Sequence, residues 1–263
     1  MSEIILDIKN LGKSFLNDSG LKHIVLENIN LHLVVSSDSG SIVSILAPFG
    51  SGKTTLLKII AGIEKYEGVI SLNNKVITSP SRKIIYIPEK HNFLPWLNVR
   101  QNIEFPETIS EAKDKILSQK IDEVIHNVGL SGYEDFYPSD IYSGFQLRIA
   151  LARAILIKPK IILMDDILRN LDGETRQEIV KLLKELTSQY KILFILSTTN
   201  ITESIQLSNR IYLMTKNPGR IFKEINVFRD TGSINSEIIT RYKDEIEMGF
   251  KAQGMFQPVL VSL

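Results

Sequence analysis

Apolar and polar residues alternate from Ile4 to Lys9 and again from Ile24 to Leu33, on either side of the turn-forming Asn17-Asp-Ser-Gly20. A period of two puts one side of each segment against a core, so both are predicted to be antiparallel strands around a loop. Ser36-Ser-Asp-Ser-Gly40 then turns the chain into a short apolar strand, Ser41 to Leu46, and an apolar helix runs from Leu56 to Ala61. Further β runs are Val69 to Leu72 and Lys83 to Ile87, after which Asn98 and Gln101 have the spacing of a capping box that starts a helix. Between Glu111 and Leu130 the residues Ala112, Ile116, Leu117, Ile121, Val124, Ile125 and Val128 form the stripe of an amphipathic helix, read as the core of a helical subdomain. Beyond Pro138, predicted helices Gly144 to Ile157, Asp172 to Ser188 and Asn200 to Leu207 interleave with strands Ile161 to Met164, Lys191 to Leu196 and Arg210 to Met214. Such alternation predicts a parallel sheet with helices on its faces. The tail after Ile221 is less regular.

Ala47-Pro-Phe-Gly-Ser-Gly-Lys-Thr-Thr55 joins the apolar strand to the apolar helix, which is the strand, glycine loop, helix context of a phosphate-binding loop. Such a loop holds a nucleoside triphosphate. Pro48, Gly50, Ser51 and Gly52 form the cradle, whose N–H groups and helix end converge on the β-phosphate. Lys53 reaches the β/γ oxygens and the Thr54 hydroxyl ligates Mg²⁺, with Thr55 beside it. Ala47 stands where the usual pattern has Gly, which the backbone tolerates where φ stays negative. An acid at the end of a neighbouring buried strand is needed for the metal's water shell, and Ile161-Ile-Leu-Met-Asp165 supplies it, with Asp166 following.

With 263 residues and 43% apolar composition, the chain can form one large α/β domain or a core carrying a subdomain, but not two nucleotide domains. A net charge of +1 provides no basic stripe, so no nucleic acid is expected. The absence of cysteine excludes disulfides and thiolate metal sites. Met1-Ser-Glu-Ile-Ile-Leu-Asp7 lacks the blocks of a secretion signal, and no apolar run approaches the ~20 residues of a membrane span. The chain is therefore read as cytoplasmic, meeting a membrane only through a partner.

Two nucleotide classes fail on particular residues. A GTPase would want glycine where Leu168 follows Asp165, and a base reader ending in Asp, whereas Thr215-Lys-Asn-Pro218 ends in Pro. A small-molecule kinase has no use for Pro138-Ser-Asp-Ile-Tyr-Ser-Gly-Phe-Gln-Leu-Arg-Ile-Ala-Leu-Ala-Arg-Ala154. That segment, in order with the phosphate loop, Glu89, the Asp165 strand and Leu171-Asp172, resembles the ATP-binding subunits of ABC transporters over nearly the whole chain. Phe93-Leu-Pro-Trp-Leu97 and Asn217-Pro-Gly-Arg-Ile221 are most similar to the nitrate, sulfonate, taurine and bicarbonate importer group. The resemblance implies an α/β ABC ATPase fold: a P-loop NTPase core with a mixed, largely parallel sheet and an N-terminal antiparallel β subdomain (1–89 and 158–221), a helical subdomain (90–157) and a C-terminal extension (222–263). It implies ATP and Mg²⁺ as cofactors, and a second ABC ATPase subunit and integral membrane permeases as partners at the inner face of the cell membrane. ABC proteins acting on DNA or ribosomes carry tandem domains or a long coiled-coil insertion, for which this length leaves no room.

By register, the resemblance gives Phe15 to adenine stacking, with a core aromatic as the alternative. It gives Trp96 to a partner anchor or to a plug between subdomains. Several positions depart from the family. The catalytic base, usually Glu, is Asp166, shorter by about 1.5 Å of reach, and Ile167 replaces the Pro after it. Thr199 stands at the γ-phosphate-sensing His, and its hydroxyl donates a hydrogen bond but brings no positive charge. Glu89 stands at the mobile-loop Gln, where a carboxylate still reaches Mg²⁺ but is negative beside phosphates. The signature aligned without gaps gives Ile141-Tyr-Ser-Gly-Phe145, so Tyr142 replaces the Ser that caps a neighbouring copy's nucleotide, with Ser143 and Gly144 next to it. A slip of one residue gives Tyr142-Ser-Gly-Phe-Gln146 and keeps Ser143. The resemblance thus implies an importer subunit that binds MgATP and turns it over slowly, with a catalytically silent structural or regulatory subunit as the alternative.

Overall fold

The structure, a computed structural model, describes residues 3–16, 19–36, 38–90, 93–108, 117–138, 143–228 and 236–255. β1 (Glu3–Leu16) and β2 (Lys22–Ser36) pair antiparallel, with Leu6 opposite Leu33 and Ile8 opposite Leu31. Their alternating pattern leaves one face buried, as a sheet covered on a single side requires. β3 (Ser41–Leu46) is buried at every position after its first, and leads through the glycine loop into α1 (Lys53–Ile60). β4 (Glu67–Leu72) and β5 (Lys75–Val76) complete a four-stranded antiparallel sheet ordered β2-β1-β4-β5.

β6 (Ile84–Ile87) enters a second sheet and is followed by three helices, α2 (Val99–Thr108), α3 (Leu117–Asn127) and α4 (Ser143–Leu156). The predicted capping box is present in both directions: Gln101 N–H donates to Asn98 Oδ1 at 2.8 Å, and Asn98 N–H donates to Gln101 Oε1 at 3.0 Å. The alternating part follows as β7 (Ile161–Asp165), α5 (Gly173–Tyr190), β8 (Leu193–Thr198), α6 (Ile201–Leu207) and β9 (Arg210–Met214). The second sheet is ordered β10-β9-β3-β8-β7-β6 and is parallel except at β10 (Ile221–Asn226). β7 and β8 are buried throughout, because helices cover both faces of the sheet.

Three apolar clusters hold these layers together. One joins α2, α3, α4 and α5 to one face of the parallel sheet through Ile103, Val124, Leu151, Met164 and Leu183. A second joins the antiparallel sheet and α1 to the opposite face through Leu6, Ile45, Leu57 and Leu163. The third lies under the tail, where the sequence showed little regularity. There β10 pairs with β9, and α7 (Ser236–Ala252) buries Tyr242, Ile246 and Phe250, spaced one helical turn apart. Each such side chain contributes roughly 1.5–3 kcal/mol by leaving water, so the extension is part of the folded body. The predicted helix from Glu111 to Leu130 is α3 over Leu117–Asn127, its expected beginning lying outside the described residues.

Candidate functional site

The phosphate loop sits where β3 ends and α1 begins. Gly50 (φ 75°) and Gly52 (φ 93°) are left-handed, a conformation that costs a residue with Cβ strain. A Cβ on Gly52 would also lie 2.8 Å from Leu26 Cδ2 and 2.9 Å from Val25 Cγ1, so β2 backs the loop closely. Ala47 has no left-handed φ, which is why its methyl is tolerated at the pattern's first glycine, and its N–H donates to Thr198 O at 3.2 Å. Lys53, 7% exposed, donates from Nζ to Ala47 O at 2.9 Å and Pro48 O at 3.0 Å. Burial pushes its ammonium pKa down to about 8, opposed by the fields of Asp166 and Asp165 and reinforced by that of Arg169. Ser51 Oγ is buried without a hydrogen-bond partner among the described residues, and Thr54 is exposed on the first turn of α1. An orphaned hydroxyl, a curled lysine and left-handed glycines fit a polyphosphate that would supply the missing acceptors.

Asp165 ends β7, 5% exposed, and accepts from Ser197 Oγ at 2.6 Å and Tyr86 Oη at 2.9 Å. Asp166 is held at φ 49°, a left-handed conformation uncommon outside glycine, with its N–H on Ser197 O at 3.1 Å. Burial raises its carboxyl pKa, while Lys53 and Arg169 pull it back. Glu89 accepts from Asn170 Nδ2 at 3.4 Å and lies 3.9 Å from Arg169. Thr199 is half-buried after β8, and the α6 that follows is capped by Asn200 Oδ1 on Glu203 N–H at 3.1 Å. Among the described residues no cluster of His, Cys, Asp and Glu forms a metal cage. Thr54, Asp165 and Glu89 carry oxygen donors of the kind a magnesium ion takes when it keeps several waters and arrives with phosphates.

The structure thus brings Lys53, Asp165, Asp166 and Glu89 around one loop mouth, their fields coupled. It does not bring Gly144 there. A Cβ on Gly144 would meet Thr175 Cγ2 of α5 at 2.5 Å, whereas the loop's neighbours are Val25, Leu26, Lys216 and Gly219. Ile141 and Tyr142 lie outside the described residues, as does the Ser143 side chain. Phe15, 41% exposed near the end of β1, is not a core aromatic, and Lys13 Nζ stands 4.5 Å over its ring. Trp96, 69% exposed, is not a plug between subdomains.

Sequence reasoning missed Tyr86, Ser197, Phe49, Arg169 and Glu203. Ser197 pairs with Asp165 in the β7/β8 register, a neighbour that only the sheet order reveals. Glu203 is 5% exposed, has an unpartnered Oε1, and is pushed up to about 7 by burial against a hydrogen bond from Thr198.

A glycine cradle with a buried lysine, set against an acid-tipped strand in a parallel sheet, defines a phosphate-loop nucleotide-binding protein. Residues 26–169 match the family described as ABC transporter. The chain is 37% identical over 257 residues to the aliphatic sulfonates import ATP-binding protein SsuB of Bacillus cereus (strain ZK / E33L), covering 97% of this chain and 99% of that one. It is 28% identical over 223 residues to the nitrate import ATP-binding protein NrtD of Synechocystis sp. (strain ATCC 27184 / PCC 6803 / Kazusa), covering 84% of this chain and 82% of that one. Among solved structures, the dimeric post-hydrolysis ATP-binding cassette MJ0796 bound to ADP and Pi superposes with a TM-score of 0.72 at 27% identity, over 86% of this chain and 100% of that one. The chain belongs to the ABC transporter family, and its fold is that of an ABC ATPase cassette. Among the described residues no helix is long and apolar enough to cross a membrane.

Proposed function

We propose that this chain is the ATP-binding subunit of an importer, pairing with a second ABC ATPase subunit and docking on integral membrane permeases at the cytoplasmic face. The observation that carries the reading is the loop itself: Lys53 is buried over its own carbonyls, with Asp165 and Asp166 at its mouth. Pro48, Gly50, Ser51, Gly52, Lys53, Thr54 and Thr55 hold the triphosphate, and Phe15 presents an exposed ring to the adenine. Thr54 and Asp165, with Glu89, would hold Mg²⁺, which would supply positive charge to neutralise the terminal phosphates. Ser143 and Gly144 face the nucleotide of the second subunit. Gly144 abuts α5 and not its own loop, in keeping with a site shared between two chains.

Permease docking is supported by the way Trp96 is mounted. Beneath its loop, Asn102 is fully buried, accepts from Leu94 N–H at 2.8 Å and donates to Leu97 O at 2.8 Å. Arg153 of α4 donates in turn to Asn102 O at 3.0 Å. A large aromatic held out on a loop tied down by these hydrogen bonds suits a protein partner, since ordered segments lose little entropy on docking.

Turnover is slow in this reading. Asp166 is short, Thr199 brings no charge, and Glu89 adds negative charge where the phosphates lie. A silent structural or regulatory role is the second reading, favoured by the same three residues. Calorimetry with adenine nucleotides tests the first part: affinity that depends on magnesium is expected, and its absence ends the proposal. Steady-state phosphate release separates the two roles, with low but measurable release expected of the first and none of the second. Recovery of an integral membrane partner from native extract tests the docking.

A further inference from the structure

Phe49 belongs to the phosphate loop, yet its ring is 70% exposed and nothing in the phosphate cradle calls for it. What it does touch is Arg169, whose guanidinium carbon lies 5.4 Å from the ring centroid, within the ~6 Å reach of a cation–π contact. Arg169 is one turn beyond Asp166, its N–H on Asp166 O at 3.2 Å. The guanidinium stands between two acids, 3.7 Å from Asp166 and 3.9 Å from Glu89. Both separations exceed the ~2.7–2.9 Å of a charge-assisted hydrogen bond, so its N–H donors remain available to a ligand. Its side chain is 46% exposed, where pairs this long stabilise the fold very little.

Charge explains why a cation belongs there. Asp165, Asp166 and Glu89 converge on a loop whose buried cation is Lys53, and a terminal phosphate would bring further negative charge into the same space. Glu89 adds a carboxylate at this mouth, and Thr199 offers a hydroxyl that brings no compensating positive charge. Arg169 is close enough for its field to act on both Lys53 and Asp166.

We propose that Arg169, braced against Phe49, is a ligand of the terminal phosphate and makes this site prefer a nucleoside triphosphate to a diphosphate. The inference rests on the nucleotide-binding reading above. When the phosphate enters, its oxygens displace Glu89 and Asp166 as partners, and two long ion pairs give way to short charged hydrogen bonds. The planar guanidinium is already oriented by the ring, so it loses little freedom in forming them. Asp166 is released at the same moment to face the nucleotide.

The test is equilibrium calorimetry of MgATP and MgADP on the full chain. Arg169→Ala is expected to weaken MgATP about tenfold and MgADP less than about twofold, the loss of one charged contact to the terminal phosphate alone. Arg169→Lys and Phe49→Leu should each remove part of the preference. Thr199→His in the Arg169→Ala background should restore some of it by returning an imidazole. An unchanged ATP-to-ADP ratio in Arg169→Ala overturns the inference while leaving nucleotide binding in place, as does an equal loss of both nucleotides. If wild type binds neither nucleotide, the nucleotide-binding reading fails and the inference falls with it.

Discussion

The phosphate loop is shaped by its backbone, with left-handed Gly50 and Gly52 and with Val25, Leu26 and Gly219 packed behind them. The rim opposite is made of side chains, Asp166 and Arg169 on the turn after β7, Glu89 after β6 and Thr199 after β8, the first three joined by long ion pairs. Backbone cradles change only when a glycine or the helix entry changes, whereas a side-chain rim changes one residue at a time without disturbing the fold. By the register of the resemblance, the positions expected to depart from the family are Glu89, Asp166 and Thr199 of this rim, whereas the cradle keeps its Gly50, Gly52 and Lys53. In the proposed reading the cradle holds the polyphosphate, while the rim sets turnover through Asp166 and Thr199 and adds Arg169 as one further contact to the terminal phosphate.

The comparison breaks most visibly at Lys53. Lys53→Ala removes the buried cation of the cradle and should weaken MgATP by about 1000-fold, the scale of truncating a buried hydrogen-bonded charge. Calorimetry should show that loss without a change in the circular dichroism of the fold. If Lys53→Ala costs less than about tenfold, the cradle is not what holds the phosphates. Asp166 and Thr199 of the rim predict the opposite pattern. Asp166→Glu with Thr199→His should raise steady-state phosphate release by roughly 100-fold, at the lower end of general-base assistance, and leave MgATP affinity within about threefold. A large change in affinity, or brisk release by wild type, would erase the division between the two regions.

Glu203 sharpens the division, because it lies behind the rim and not in the cradle. Burial holds its folded pKa at about 7 against an ordinary 4.5. For a carboxyl raised in this way, the folded state prefers the protonated form. No penalty exists below pH 4.5, it grows as pH rises, and it is complete above about 7. Glu203→Gln removes the charge with little change of shape, so it should stabilise the fold by about 2 kcal/mol at pH 8 and progressively less toward pH 5. Urea midpoints at the two pH values measure this. Equal gains at both would mean that the effect is packing and not ionisation.

Legibility in the sequence followed contiguity. The phosphate loop was readable because its chemistry occupies consecutive residues between a strand and a helix, and Asp165 because it caps an apolar run. The alternating part after Pro138 was readable for the same reason, down to β9 with both of its ends. Ser197 and Tyr86 were not, since they meet Asp165 only through the order β8-β7-β6. Phe49 and Arg169 stand far apart in sequence, so their contact left no local pattern. The tail is a different case. Tyr242, Ile246 and Phe250 recur at helical spacing, but the polar residues between them diluted the period. The outward stance of Trp96 depends on Asn102 and Arg153 beneath it, which spacing alone could not connect.

The smallest expected effect belongs to the cradle and tests whether Lys53 is as buried in solution as it is here. In the free protein its ammonium loses its proton near pH 8, because desolvation disfavours the charge. A phosphate at its tip favours the charged form, so nucleotide binding above that pH must draw a proton from solvent. Affinity for MgATP should then be flat in this respect below pH 8 and fall by about tenfold per unit above it, until the pKa of the complex is reached. Calorimetry at pH 9 in two buffers of different ionisation enthalpy should show uptake of close to one proton. If no proton is taken up, Lys53 is already fully charged in the free cradle, and the loop is open to water before the nucleotide arrives.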